Sequence, residues 1–371
     1  MRESWHTNDE KIYVIPQNLS EAEVENHKQI AKKGTFTCPY CKAQLYVKSG
    51  EILGNFFSHL HGESCEASKQ SEARYSKYEK QKKNDTKRQP HIVALMNDEL
   101  NVLVKVYSHV KVTPGYLNPE FSKNIPDITL KIHDNKYAIT VVTNITSSTD
   151  QAFAKSIQNQ KTYYASLGYE PIFFIERNHL GIDIDGKSLV LWKTELQALT
   201  SQKADTHWQH FLMQLGELEV LQAVLKLPKT DLNVKSLMYI TPANEAISIE
   251  AFHILEHPNT FPPKAHFFAT PYKLSFSQAF KINDENLSLA DLDIENNNQS
   301  KYLEYFSQAK IALERQLEEE THLTNLATEE KRNQVVENQQ VYLKSYSQSK
   351  YAKSDKDKKR ELVMKAFHSN N

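Results

Sequence analysis

Cysteine is nearly absent from this chain, with three among 371 residues. Three thiols cannot build a disulfide framework, and their reduced form fits a reducing cytoplasm. Glycine is also scarce, at nine residues, which argues for well-ordered elements over loose linkers. Excess charge is missing too: 45 basic side chains face 46 acidic ones, for a net charge of -1. Bulk charge therefore neither favours nor excludes nucleic acid, and local charge has to decide. No run approaches the roughly 20 apolar residues of a membrane helix. The polar stretch Met1 to Glu10 lacks the apolar centre of a secretory signal. These absences predict a soluble cytoplasmic protein with no membrane contact. No P-loop, Rossmann glycine set, HExxH or nucleophile elbow occurs.

All three cysteines fall in one short window, together with histidines. The order is Cys38-Pro39-Tyr40-Cys41, then His59-Leu60-His61, then Cys65. A tetrahedral zinc ion accepts four thiolate or imidazole ligands, and a CxxC pair can meet at one ion in a tight knuckle. The spacing selects Cys38, Cys41, His59 and Cys65, with His61 as rival fourth ligand. Four protein ligands leave no position for a reacting water, so the expected zinc is structural. It would fold a small module that cannot build a core alone.

Hydrophobic patterning predicts a mixed α/β chain in four parts: a zinc module over 1–66, an α/β domain over 67–200, a mixed α/β or helical domain over 201–295, and long helices with a charged tail over 296–371. Ser20 and Glu23 form a capping-box pair at a helix start. A helix is expected over His91–Leu100, followed by strands at Val102–Tyr107, Ile128–Ile132, Tyr137–Val142 and Pro171–Ile175. A crossover helix over 150–167, stopped by Gly168, makes the last two strands parallel. Trp208 to Leu227 reads as one apolar helix, and the acidic, asparagine-rich stretch 292–299 as a linker. Leu303, Phe306, Leu313 and Leu317 occupy heptad positions, with Lys310 interrupting and the pattern fading after Leu326. That pattern predicts a long helix packed on the body, with a protein partner or self-association as a further use.

The segment after Cys65 is basic. Arg74, Lys77, Lys80, Lys82, Lys83, Lys87 and Arg88 are interleaved with Tyr75 and Tyr78. Such a run is either a solvated helix face or a contact to phosphates. Lys161, on the crossover helix, joins this group as a candidate DNA contact.

At Pro126-Asp127 a Pro-Asp pair opens one strand, and a hairpin joins it to the strand ending Ile139-Thr140-Val141-Val142. This resembles the frame of the PD-(D/E)XK nucleases. Together with Thr35-Phe36-Thr37-Cys38-Pro39-Tyr40-Cys41, Phe56-Phe57-Ser58-His59, Cys65, Ser71-Glu72, Tyr164 and Gly168-Tyr169, the order of parts resembles the CoiA-like competence proteins over about residues 35–180. The resemblance implies a zinc-binding N-terminal module, a restriction-endonuclease-like α/β core and a largely helical C-terminal region. It implies DNA as partner and a role in competence or recombination, with phage defence a related setting.

The same resemblance exposes a departure. The family's Glu-x-Gln on the second strand falls on Thr140 and Val142, neither of which supplies a charged ligand. Asp127 survives, and Glu72 is the candidate second carboxylate from the preceding helix. A Mg²⁺ or Mn²⁺ site normally draws on more than one carboxylate, so the expectation is a degenerate core. An active DNase with a relocated carboxylate, such as Asp134 or Glu170, and a non-catalytic scaffold subunit are the alternatives.

Overall fold

The strand Asn135–Val142 is apolar on both faces because it lies inside a large sheet. Ile139 and Val141 enter one buried cluster and Ala138 and Val142 another, as alternation along a strand requires. Ile172 and Phe174 repeat the split against Phe173 and Ile175 in the strand Glu170–Glu176. A sheet covered on both faces reads as continuous hydrophobicity. The computed structural model describes residues 1–368 except 18, 51–53, 61–63, 179, 185, 217, 226–231, 244–245, 258–259, 269–271 and 284–285.

The sheet runs in the order Ser188–Val190, Lys264–Phe267, Ala246–His257, Lys235–Ala243, Glu170–Glu176, Asn135–Val142, Ile128–Ile132 and Val110–Pro114. Lys273–Ser275 pairs beside Ala246–His257. Glu170–Glu176 is parallel to both its neighbours, and the other pairings are antiparallel. Its crossover from Asn135–Val142 is the helix Asp150–Ser166, after which Gly168 takes a positive φ of 75°. The boundary expected at residue 200 falls within this sheet, because Lys235–Ala243 pairs directly with Glu170–Glu176.

The N-terminal part is a separate small assembly. A three-stranded sheet has Glu3–His6 between Lys11–Val14 and Phe36–Thr37, and a hairpin pairs Leu45–Gly50 with Gly54–His59. The helix Glu21–Lys32 starts on the Ser20–Glu23 capping box. Its core is little more than Ile15, Phe36, Leu45, Val47, Phe57 and Cys38.

Three sequence expectations need correction. Val102–Tyr107 is not a strand: the helix Gln89–Val106 runs through it. Ile92, Met96 and Leu100 are buried at i, i+4 and i+8, and Leu103 and Val104 continue the packed face. The span Trp208–Leu227 is two helices, Lys203–Leu215 and Leu218–Leu225, parted at Gly216, and its last two residues lie outside the described ones. The linker expected over 292–299 is the start of a helix, Leu292–His368, whose first turn is held by Asp291: its Oδ1 accepts from the amides of Asp293 (3.1 Å) and Ile294 (3.3 Å). The chain divides into two compact units, Met1–Leu303 and Glu304–Asn371. In the second, residues 314–349 are exposed throughout.

Candidate metal centre and the surroundings of Asp127

The turn after Phe36–Thr37 forms the cysteine knuckle. Cys38 N–H donates to Ala43 O (2.8 Å), Lys42 N–H donates back to Cys38 O (2.9 Å), and Lys42 takes a positive φ of 62° to close the turn. His59 ends the hairpin opposite Leu45, and Cys65 is the N-cap of the helix Glu66–Gln81. Three loop ends thus bring Cys38, Cys41, His59 and Cys65 together, with their ligand atoms all within 4.8 Å of one another. Cys38 Sγ lies 3.8 Å from Cys65 Sγ, and Cys41 Sγ lies 3.3 Å from His59 Nε2. These four residues can hold a metal ion. The rival ligand His61 lies outside the described residues. Burial pushes the Cys38 thiol up to about 12. Burial also raises Cys41, but hydrogen bonds from Ala43 and the other two thiols outweigh it and hold that thiol below its ordinary value. A bound cation would replace these shared protons and keep the thiolates ionised.

The helix that begins at Cys65 ends beside Asp127. Along the way Ser71 donates to Glu3 (2.5 Å), Arg74 to Tyr116 O (2.9 Å) and Lys77 to Ser122 O (3.0 Å). Gln81 clamps Ile125 at both its amide (3.0 Å) and its carbonyl (3.2 Å). The Pro126 carbonyl passes so close to Gly115 that a Cβ there would sit 1.8 Å from its oxygen. Only glycine fits that approach.

Asp127 is buried, and four donors share its carboxylate. Tyr78 Oη (2.6 Å) and Gln89 Nε2 (2.9 Å) donate to Oδ1, while Lys82 Nζ (2.8 Å) and Val141 N–H (2.6 Å) donate to Oδ2. A carboxylate offers about four lone-pair sites, so this one is filled. The Lys82 ammonium also donates to Val141 O (2.7 Å) and lies 3.9 Å from Asp85 Oδ2. Burial pushes the Asp85 carboxyl up, with Lys82 and the Thr143 amide opposing. Asp85 was missed in the sequence, because a carboxylate inside a basic run reads as part of a solvated face. Its signal was the three-residue spacing from Lys82.

The other candidate positions lie elsewhere. Thr140 is buried with its hydroxyl 3.3 Å from Tyr164 Oη, and Val142 is buried in the apolar cluster on that face. Glu72 is not among the groups around Asp127: its Oε1 takes the Met1 amine at 2.7 Å. Asp134 is exposed in the turn at the far end of the hairpin.

The basic run splits in two. Arg74, Lys77 and Lys82 turn onto carbonyls or Asp127, and Arg88 pairs with the buried Glu176 at 2.8 Å. Lys80, Lys83 and Lys87 are exposed. Lys161 donates to Leu199 O, and burial, with Lys235 adding to it, pulls its ammonium down to about 8.

Residues 19–68 match the family model of the competence protein CoiA, N-terminal domain. The match takes in all four ligands of the cysteine-histidine cluster. No curated protein matches the chain. No solved structure matches it. Among the described residues no helix is long and apolar enough to cross a membrane.

Proposed function

We propose that this chain, whose residues 19–68 match the CoiA N-terminal domain, is a DNA-associated protein that keeps a PD-(D/E)XK-type core without its reaction. The filled carboxylate of Asp127 carries this reading. A Mg²⁺ ligand must present a free oxygen lone pair at about 2.1 Å. Here each site is taken by a donor, and one donor is the Lys82 cation. Thr140 and Val142 add no carboxylate beside it. Lys82 stands in for the cation that a catalytic pair would hold, so the core serves as a platform.

At the cysteine-histidine cluster we assign structural zinc. Two Zn–S bonds of about 2.3 Å at a tetrahedral angle set their sulfurs about 3.8 Å apart, and Cys38 and Cys65 stand at 3.8 Å. DNA contact falls to the exposed Lys80, Lys83 and Lys87, whose charges are free to meet phosphates.

The test is incubation with plasmid and linear DNA in Mg²⁺ or Mn²⁺. DNA binding that weakens with salt, and no nicking, is the expected result. Nicking that disappears in Asp127→Ala would overturn the non-catalytic core. Absence of DNA binding at low salt would overturn the DNA association and leave a scaffold for protein partners.

A further inference from the structure

The last helix poses a physical problem. Residues 304–368 extend it by about 100 Å at 1.5 Å per residue, and residues 314–349 are exposed without interruption. A solitary helix draws little stability from propensity alone, and most helices depend on packing an apolar face. Such a face is present. Leu313, Thr324, Val335 and Tyr346 recur every eleven residues, and Leu317 and Tyr342 fall on the same side. At about 100° per residue these six positions lie within an arc of about 60°, which Thr328 and Lys331 also enter as polar interruptions of the stripe. Leu317 is 54% exposed, Val335 56%, Tyr342 70% and Tyr346 60%. An eleven-residue repeat is 3.67 residues per turn, close to the natural helix period. That explains why a seven-residue pattern fades after Leu326 while the stripe continues.

Charge says what covers the stripe. Residues 304–330 carry seven acidic and two basic side chains, and residues 331–365 carry ten basic and four acidic ones. We propose that residues 304–365 are a self-association surface on which a second copy of this chain lies antiparallel. In that arrangement each acidic half faces a basic half. A parallel pair would set acid against acid and base against base, which opposes association. The proposal does not depend on the state of the Asp127 core.

Light scattering on the full chain tests it. At low salt the protein is expected to be a dimer, shifting toward monomer in molar salt as the complementary charges are screened. Reversing part of the acidic half (Glu314→Lys, Glu318→Lys and Glu319→Lys together) should give a monomer. Adding Lys356→Glu, Lys359→Glu and Arg360→Glu to that chain should restore the dimer, because both halves are then exchanged. All six side chains are exposed, so circular dichroism should report an unchanged body. A monomer at every salt concentration overturns the proposal. So does a dimer indifferent to reversal, or a monomer that uses the basic half to hold a DNA duplex.

Discussion

At the scale of single residues, the identity of Asp127 matters less than what surrounds it. Pro126-Asp127 was legible in the sequence through its resemblance to the strand-opening Asp of the PD-(D/E)XK frame. Lys82 was not, because one lysine in a basic run looks like its neighbours. The difference is made by the end of the helix Glu66–Gln81, which turns Lys82 inward onto Asp127 and Val141. A buried ion pair of this kind is expensive to break from one side, since the remaining charge is stranded. Asp127→Ala should therefore destabilise the protein by about 3–5 kcal/mol, read as a lower urea midpoint at pH 7. A carboxylate kept for metal, with its lone pairs free, would give a neutral or stabilising change instead. Lys82→Met should show a smaller loss, because Tyr78, Gln89 and the Val141 amide still satisfy Asp127. Binding of Mg²⁺ or Mn²⁺ to Lys82→Met, absent in the parent chain, would show that this lysine holds the cation's place.

Among the elements, the helix Glu66–Gln81 is the one that ties two chemistries together. Its N-cap is Cys65, which makes no side-chain capping bond and faces the other ligands. Its far end cages Asp127. The ligand set was legible because exclusivity and spacing coincide, but the helix's double role was not, since no local pattern records which carbonyl a lysine will meet. The same limit explains Val102–Val106. Its β-branched residues favour a strand locally, and packing of Met96, Leu100 and Leu103 overrides that preference. The small core around Phe36 and Phe57 predicts that the N-terminal part depends on a metal held by the proposed Cys38, Cys41, His59 and Cys65 set. Chelation, or Cys38→Ser, should release about one zinc equivalent and expose residues 1–65 to protease. The large sheet should stay resistant, since its two faces are packed by other residues. Metal analysis with limited proteolysis checks both halves of this expectation. Uniform digestion of the chelated protein would instead make the metal a support of the whole fold.

At the scale of the whole molecule, one buried charge cluster joins parts that the sequence kept separate. His253, on the strand Ala246–His257, meets Asp205 of the helix Lys203–Leu215 at 2.7 Å and Glu295 at 3.1 Å. Glu295 also accepts from Trp208 Nε1 (2.6 Å) and from the Tyr272 hydroxyl. This is why the acidic stretch at 292–299 is helix rather than linker: its one buried carboxylate is a partner in the core. Burial alone would lower the His253 imidazolium, but the two carboxylates outweigh it and push it up to about 9. A raised histidine stabilises the folded state while it is protonated there. The contribution is complete below the unfolded value near 6.5 and is lost as pH rises through about 9. That shift corresponds to a loss of order 3 kcal/mol across the window. Stability measured by urea unfolding from pH 6 to 9.5 should fall over this range. His253→Gln should lower stability at pH 6 and flatten the profile, since glutamine keeps a donor but carries no charge. An equally steep decline in His253→Gln would place the titration elsewhere and leave the cluster a neutral hydrogen-bond network. A flattened one would make protonation of a single histidine the link between the sheet, the helix Lys203–Leu215 and the base of the last helix.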